Sequence, residues 1–155
     1  MSAVRVRCVL KPFGVTTPKE DLMADDWTAG RDLADYHFIT GPSSPRKPPD
    51  IGKPTTVVFH AVGFSRIFAI AEVTGLPDYR YHSKYKDRFP WVFPARVDLW
   101  VPLISDGPVT KEVVTQKALG RIQRGSAFAN LTADECARAR DALLARPTVQ
   151  VRAPS

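Results

Sequence analysis

Two strand-like runs joined by a short turn constrain the fold of this chain more than any other feature of its sequence. Residues 55–62 read TTVVFHAV and residues 66–73 read RIFAIAEV, and both are rich in β-branched and aromatic residues. A turn around Gly63 separates them, which predicts a β-hairpin. A third run at 91–102, WVFPARVDLWVP, alternates as a strand with one buried face does. Its Pro94 predicts an edge or a bulge, because proline donates no ladder hydrogen bond.

The rest of the chain predicts one more strand, a loop and a short helix. Residues 3–10, AVRVRCVL, alternate apolar and polar side chains as a half-buried strand does. Residues 41–54 contain five prolines and two glycines, which is the composition of a loop. Residues 111–119, KEVVTQKAL, fit a short helix.

Two capping boxes mark the starts of further helices. Residues 17–20, TPKE, combine a capping threonine, proline at the first helical position and glutamate three residues after the cap. They predict a helix near 18–25. Residues 132–135, TADE, form a second capping box and open a helix that runs to about Arg146, where Pro147 stops it.

These elements predict an α+β fold, in which mostly antiparallel strands form a small curved sheet or β-barrel with flanking short helices. The length of 155 residues predicts a single domain. We expect this domain to cover residues 1–147 and a loose tail to follow at 148–155. The sequence has no apolar run of membrane-spanning length and no apolar segment behind a basic start, so we expect a cytoplasmic protein.

The residues that most often carry catalysis or bind metals show no informative spacing. Cys8 and Cys136 lie far apart, and we expect buried thiols rather than a disulfide framework. His37, His60 and His82 have no metal-ligand spacing, and no nucleophile or phosphate-loop motif occurs. We therefore expect a protein that is not an enzyme and that has no metal and no cofactor.

Positive charge is concentrated beside aromatic rings in residues 79–91, YRYHSKYKDRFPW, which we call the basic–aromatic segment. The whole chain has 22 Lys and Arg against 16 Asp and Glu, and this net charge of +6 favours phosphate-bearing partners. The rings either belong to the core, which fits Trp91, or hold a flat anionic ligand, which fits Tyr81 and Tyr85. In the second case the rings stack on bases and the cations neutralise phosphates. The cations expected to bind phosphates are Arg80, Lys84, Lys86, Arg88 and, from a second basic patch, Arg124.

An ordered set of motifs along nearly the whole chain resembles the EVE domain family. GKPTTVVFHAVGFSRIFAIAEV at 52–73 resembles the central hairpin of that family, and SKYKDRFPWVFPARVDL at 83–99 resembles the segment after it. The latter is equally similar to a stretch of YTH domains, which read N6-methyladenine. DDWTAGR at 25–31 resembles the early tryptophan motif of both families. PVTKEVV and ANLTADECARARDALLA resemble the carboxy-terminal part of EVE domains.

The resemblance implies a PUA-like fold with an aromatic pocket that accepts a base flipped out of DNA or RNA. By motif, Trp27 would form one wall of this base pocket and Tyr81 or Tyr85 another. Lys11 and Thr28 match positions near the pocket edge. Phe59 and His60 match a strand of the same motif set.

The sequence departs from the related families in ways that bear on the ligand. Asp32 follows Arg31 where the EVE family has asparagine, and Pro12 replaces the serine that follows the first-strand lysine in YTH domains. A tyrosine stands where YTH domains have tryptophan. These departures make 5-substituted cytosine at least as fitting a ligand as N6-methyladenine.

Two other classes of function stay open at this stage. The first is an enzyme that processes nucleotides or modified nucleosides on a PUA-like barrel, with His60 or His82 titrating in the cavity. The second is a protein-interaction module whose tyrosine-rich face docks a partner. Whether a reader of this kind acts with a separate nuclease or restriction partner is left open as well.

Overall fold

The computed structural model describes residues 7–13, 25–40, 51, 54–79, 91–123 and 128–152. The strands and helices within these ranges, in chain order, are β1 (Arg7–Phe13), β2 (Tyr36–Thr40), β3 (Thr55–Ala61), β4 (Arg66–Val73), β5 (Asp78–Tyr79), β6 (Trp91–Trp100), α1 (Gln116–Gln123), β7 (Ala129–Asn130), α2 (Ala133–Leu144) and β8 (Gln150–Val151). Two single 3-10 turns, Ile104–Asp106 and Thr110–Glu112, lie between β6 and α1.

All eight strands belong to one mixed sheet with the order β2-β6-β4-β3-β1-β7, and β5 and β8 also pair with β6. The predicted α+β architecture is confirmed. The strands are not all antiparallel, however, because β1 and β3 pair in parallel over their full lengths. A parallel pair needs a long crossover, and here more than forty residues, β2 included, separate the two strands. A closed barrel and the PUA-like assignment stay predictions.

The predicted hairpin and the predicted third strand are both confirmed. β3 and β4 pair antiparallel, and β6 is the longest strand of the sheet, with ten residues. Pro94 does not make β6 an edge strand, because β6 lies between β2 and β4. The carbonyl of Pro94 accepts a hydrogen bond from Thr74 N at 3.0 Å, one residue beyond the end of β4. The backbone of Pro94 faces the side of β6 on which β4 has just ended at Val73. The N–H that proline lacks is therefore not needed for the β4–β6 ladder, and proline is tolerated there.

The helix predicted from the second capping box is α2, and it begins at that box. The Thr132 hydroxyl accepts a hydrogen bond from Glu135 N, and the Glu135 carboxylate accepts one from Thr132 N. The same carboxylate also accepts a bond from Thr115 N at 2.8 Å, just before α1 begins. Glu135 therefore joins the starts of both helices. The helix predicted at 18–25 and most of the loop predicted at 41–54 lie outside the described residues.

Residues after 147 differ from the loose tail that the sequence predicts. Gln150–Val151 form β8, which pairs with β6 at Leu99 and Trp100. Arg152 N donates a further hydrogen bond to the carbonyl of Asp98 at 2.9 Å. The chain up to residue 152 is thus part of the sheet.

The two cysteines are paired, which corrects the expectation of separate buried thiols. Cys8 on β1 forms a disulfide with Cys136 on α2, 128 residues away in sequence. Helix α2 contacts β1, β4 and β6, and this packing brings the two Cα atoms within 6.3 Å. Sequence spacing could not reveal a contact made by tertiary packing. Disulfides persist where thiols are not kept reduced, so the cytoplasmic location stays a prediction.

The double role of Glu135 predicts a large effect of its removal on stability. Burial pushes the pKa of the Glu135 carboxyl up, but hydrogen bonds from Thr132 and Thr115 outweigh burial and leave it below its ordinary value. We expect Glu135→Ala to lower the free energy of unfolding by about 2–4 kcal/mol near neutral pH, because two backbone donors lose a charged acceptor. The loss should shrink as acid protonates the wild-type carboxyl.

Urea denaturation at pH 7 and at pH 4 measures this effect, with Asp134→Ala as the control. Asp134 is exposed and lies next to Glu135 in the first turn of the same helix. The control should change stability by less than about 1 kcal/mol, through the helix dipole alone. Equal losses in the two variants would contradict the capping account.

Candidate functional site

Seven aromatic rings meet on one face of the sheet and form what we call the aromatic cluster. The shortest separations between ring centroids are 4.5 Å for Phe13 and Phe59, and 4.8 Å for Trp27 and Phe68. Five members, Phe13, Trp27, Tyr36, Phe38 and Phe68, have ring centroids within 6.5 Å of the Phe59 centroid. The seventh ring, Phe93, stacks on Phe38 at 5.6 Å.

A β-bulge gives the cluster one of its central rings. The register of β3 and β4 pairs Phe59 with Ala69 and His60 with Ile67, so that Phe68 is the extra residue. A bulged residue leaves the regular alternation of faces. Phe68 thereby contacts the rings of Phe59, Phe13 and Trp27.

Lys11 is an ionisable residue of this face and is almost fully buried, with an exposed fraction of 5%. On β1 it precedes Phe13 by two residues, and it lies opposite Phe59 in the parallel β1–β3 register. Its Nζ donates to the carbonyl of Pro12 at 2.8 Å and lies 5.0 Å from the centroid of the Phe13 ring. No carboxylate among the described residues lies within salt-bridge distance of it.

Burial changes the acid–base properties of Lys11. Desolvation lowers the pKa of its amine to about 7, since a charge is disfavoured away from water. An ammonium group has three donors, and here one of them has an acceptor. Ligand sites and catalytic sites commonly contain a buried ionisable group whose pKa is shifted and whose hydrogen-bond donors are not all used.

Trp27 lies inside the aromatic cluster rather than on an open wall. Its ring is 2% exposed and meets Tyr36, Phe59 and Phe68 edge to face. Its Nε1 donates to the carbonyl of Val101 at 2.8 Å. Thr28, the next residue, is half-buried in the same turn.

Phe59 and His60 cannot line the same pocket, because successive residues of a strand face opposite sides of the sheet. Phe59 belongs to the aromatic cluster, whereas His60 lies on the other face, with its Nδ1 2.7 Å from the Thr110 hydroxyl. Burial lowers the pKa of His60 to about 4, so the ring is neutral near pH 7. That His60 belongs to the base pocket stays a prediction, which its contact with Thr110 does not favour.

The two ends of the basic–aromatic segment are held together on the sheet. Tyr79 pairs with Trp91 in the β5–β6 ladder, and Thr40 of β2 pairs with Trp91 on the other side. Phe93 of the aromatic cluster follows Trp91 by two residues, which is about 7 Å along a strand. The predicted site residues Arg80, Tyr81, Lys84, Tyr85, Lys86, Arg88 and Arg124 lie outside the described residues.

Several residues of this face were not singled out by the sequence. Phe13 contacts Lys11 and Phe59, and Phe38 and Phe68 contact both Phe13 and Phe59. The position of Phe13 on this face could have been predicted from the sequence, because it follows Lys11 by two residues and alternate residues of a strand share a face. The position of Phe68 could not, because a bulge breaks the alternation on which such predictions rest.

Neither a metal-binding cluster nor a membrane-spanning helix occurs within the described ranges. No group of three or more His, Cys, Asp or Glu residues in these ranges could hold a metal ion. None of the helices there is long and apolar enough to cross a membrane.

The fold and this face define the chain as a small α+β domain with a mixed sheet, helices packed against it and a buried lysine among aromatic rings. No protein-family model matches the chain. No curated protein matches it either. Among solved structures, the chain is similar to the NMR structure of Rpa0253 from Rhodopseudomonas palustris, a structural genomics target, with a TM-score of 0.51. The identity is 14%, over 89% of this chain and 93% of that one, so the likeness shows the fold alone.

The low pKa of Lys11 predicts that its replacement stabilises the protein in a pH-dependent way. In the unfolded chain the amine titrates near 10.5, and in the folded protein near 7. The folded state therefore bears a penalty that is complete below pH 7 and vanishes as the pH rises to about 10.5. We expect Lys11→Met to raise the free energy of unfolding below pH 7 by an amount on the order of 4 kcal/mol, and to gain much less at pH 10.

Urea unfolding at pH 6, 8 and 10 measures this pattern, with Lys117→Met as the matched control. Lys117 is exposed on α1, so its replacement should have a small effect that does not follow this pH pattern. A Lys11→Met protein that is less stable than the wild type at pH 6 would show that the amine is charged and well paired.

Proposed function

We propose that this protein is a non-catalytic reader that binds a modified nucleobase flipped out of a DNA or RNA strand, the base being a 5-substituted cytosine or N6-methyladenine. The observation that carries the proposal is Lys11, a buried amine with one acceptor, set among the rings of Phe13 and Phe59. A base is flat and apolar on its faces and has hydrogen-bond acceptors at its edge. Rings and a spare amine donor match both properties.

A ligand would reach Lys11 most directly at the end of β1 that contains Phe13. Strand β7 pairs with β1 only at Val9 and Leu10. Beyond Leu10, the only described strand that pairs with β1 is β3, although the Lys11 residue as a whole is 5% exposed. A ligand would reach the amine from this end, along the ring of Phe13.

The basic–aromatic segment supplies the second part of the proposal. Its ends are paired at Tyr79 and Trp91, next to Phe93 and Phe38 of the aromatic cluster. Tyr81 and Tyr85 would stack on the base, at about 1–3 kcal/mol per stacked base. Arg80, Lys84, Lys86 and Arg88 would bind the phosphates on either side.

The free-energy cost of flipping a base out of its strand determines how much binding energy the site must supply. A base removed from its stack loses a few kcal/mol, which the rings and the amine must offset. A methyl group adds only about 0.8 kcal/mol of burial. A reader that senses the methyl group by burial alone would therefore prefer methylated strands by roughly fourfold to tenfold, unless a polar contact also changes.

The burial of Trp27 determines which variants can test the site. Trp27→Ala would remove a fully buried side chain and destabilise the fold by about 3–5 kcal/mol, whatever the ligand. Tyr81→Ala and Lys86→Ala change residues of the segment instead. We expect Tyr81→Ala to abolish the preference for a modified strand. Lys86→Ala should weaken all strands alike and reduce the dependence of log K on log salt concentration by about one unit.

Anisotropy titrations with labelled DNA and RNA strands, each plain or carrying one modified base, measure both effects at two salt concentrations. Lys117→Ala, an exposed cation on α1, is the control for a general loss of positive charge. Equal binding of plain and modified strands by the wild type would refute the reader and leave a general nucleic-acid binder. The absence of salt-dependent binding would favour a protein-interaction module.

A nucleotide-processing enzyme is a second candidate, favoured by the same lysine. An amine with a pKa near 7 is able to act as a general base or a nucleophile at neutral pH. His60 does not help this candidate, because it lies on the opposite face and is bonded to Thr110. Conversion of a nucleotide or a modified nucleoside by wild-type protein, lost in Lys11→Met, would establish the enzyme instead of the reader.

A further inference from the structure

Lys11 contributes an amine to the candidate site, and no carboxylate among the described residues lies within ion-pair distance of it. Its Nζ has one acceptor, the carbonyl of Pro12, and its other described neighbour is the face of the Phe13 ring. Both interactions are far weaker than an ion pair in a site away from water. The Lys11 residue is nevertheless held at 5% exposure.

The described titratable groups on the elements around β1 form no ion pair with Lys11. Arg7, on β1 itself, donates to the side chain of Asn130. Glu135 of α2 accepts from two backbone donors near the helix starts. His60 of β3 faces the opposite side of the sheet. The remaining titratable groups are Tyr36 in the aromatic cluster, Lys117 and Arg121 on α1, and Asp134, Arg138, Arg140 and Asp141 on α2.

A buried amine without a counter-ion places a chemical requirement on what binds beside it. A ligand with one negative charge would complete an ion pair with Lys11 and stabilise the protonated amine. A neutral ligand would leave the protonated amine without a counter-ion, and a doubly charged phosphate would add a negative charge that the amine does not balance. A group with one negative charge meets the balance, and in a nucleic acid such a group is a backbone phosphodiester or a carboxylate on a base. Of the two, the carboxylate belongs to a flat ring of the kind that the Phe13 face beside the amine can contact.

We propose that the ligand of this site is a planar ring carrying one carboxylate, and that Lys11 is its counter-ion. Among modified bases this describes 5-carboxycytosine rather than 5-methylcytosine or N6-methyladenine. The inference rests on the proposed function and narrows its ligand class. The ring of Phe13, which is partly exposed and covers the fully buried Phe59, would contact the flat face of the base, and the carboxylate would meet the amine.

Binding of such a ligand takes up a proton. The pKa of the free amine is about 7, so close to half of the protein molecules are unprotonated at pH 7. The complex requires the ammonium form, and the uptake is therefore about half a proton per ligand at pH 7 and approaches one at pH 8 and above. Affinity for the carboxylated base should then fall almost tenfold for each pH unit above pH 8. Affinity for 5-methylcytosine should not fall.

The experiment uses three single-stranded oligonucleotides that differ at one position, cytosine, 5-methylcytosine or 5-carboxycytosine, with wild-type protein and Lys11→Met. Isothermal titration calorimetry in two buffers of different ionisation enthalpy counts the protons taken up. We expect wild type to bind the 5-carboxycytosine strand at least tenfold more tightly than the 5-methylcytosine strand at pH 6.5. Lys11→Met should reduce this ratio to below twofold, and Lys117→Met should leave it unchanged.

The outcomes separate this inference from the proposed function. Equal affinity of wild type for the two modified strands, both bound more tightly than the cytosine strand, would overturn the carboxylate requirement and leave the base reader standing. No preference for either modified strand would overturn the reader and the inference together. A preference for 5-carboxycytosine without proton uptake, and retained in Lys11→Met, would overturn the role of Lys11. The wild-type comparison does not depend on the folding of any variant.

Discussion

The burial of the Lys11 amine among aromatic rings is the constraint on which this account depends. A lysine that is 5% exposed, with one carbonyl acceptor for its amine, opposes folding at neutral pH, and desolvation lowers its pKa to about 7. The surrounding rings stabilise the fold enough to hold it there, because each buried aromatic side chain contributes a large apolar surface. A chain that needed only stability would do better with methionine at this position. A ligand that binds the amine would explain why the chain has lysine rather than methionine at this position.

The position of Lys11 follows from how β1 is fixed. Its parallel pairing with β3 sets Lys11 opposite Phe59, and the disulfide from Cys8 to Cys136 ties the same strand to α2. Glu135, one residue before that cysteine, holds the starts of α1 and α2 through Thr115 and Thr132. The helices and the connections between them thus brace one face of the sheet. The opposite face carries the rings and the amine.

Local patterns predicted much of the fold and little of the site. The hairpin, the long third strand and the capping box at Thr132 depend on residues close in sequence, and all three were confirmed. The β1–β3 pairing and the disulfide were missed because both join residues far apart in sequence. Lys11 was noticed through a family resemblance alone. The pattern of a strand does not reveal that a lysine on its apolar face is buried without an anion.

The pKa of Lys11 is the quantity that tests this account most directly. It can be measured by NMR, by following the side-chain Cε and Nζ signals of isotope-labelled wild-type protein from pH 5 to pH 11, with Lys11→Met used to assign them. We predict a midpoint near pH 7, far below the ordinary lysine value of about 10.4. A Lys11 midpoint near 10.4 would show a solvated or paired amine. It would contradict both the buried amine and the carboxylate ligand inferred from it.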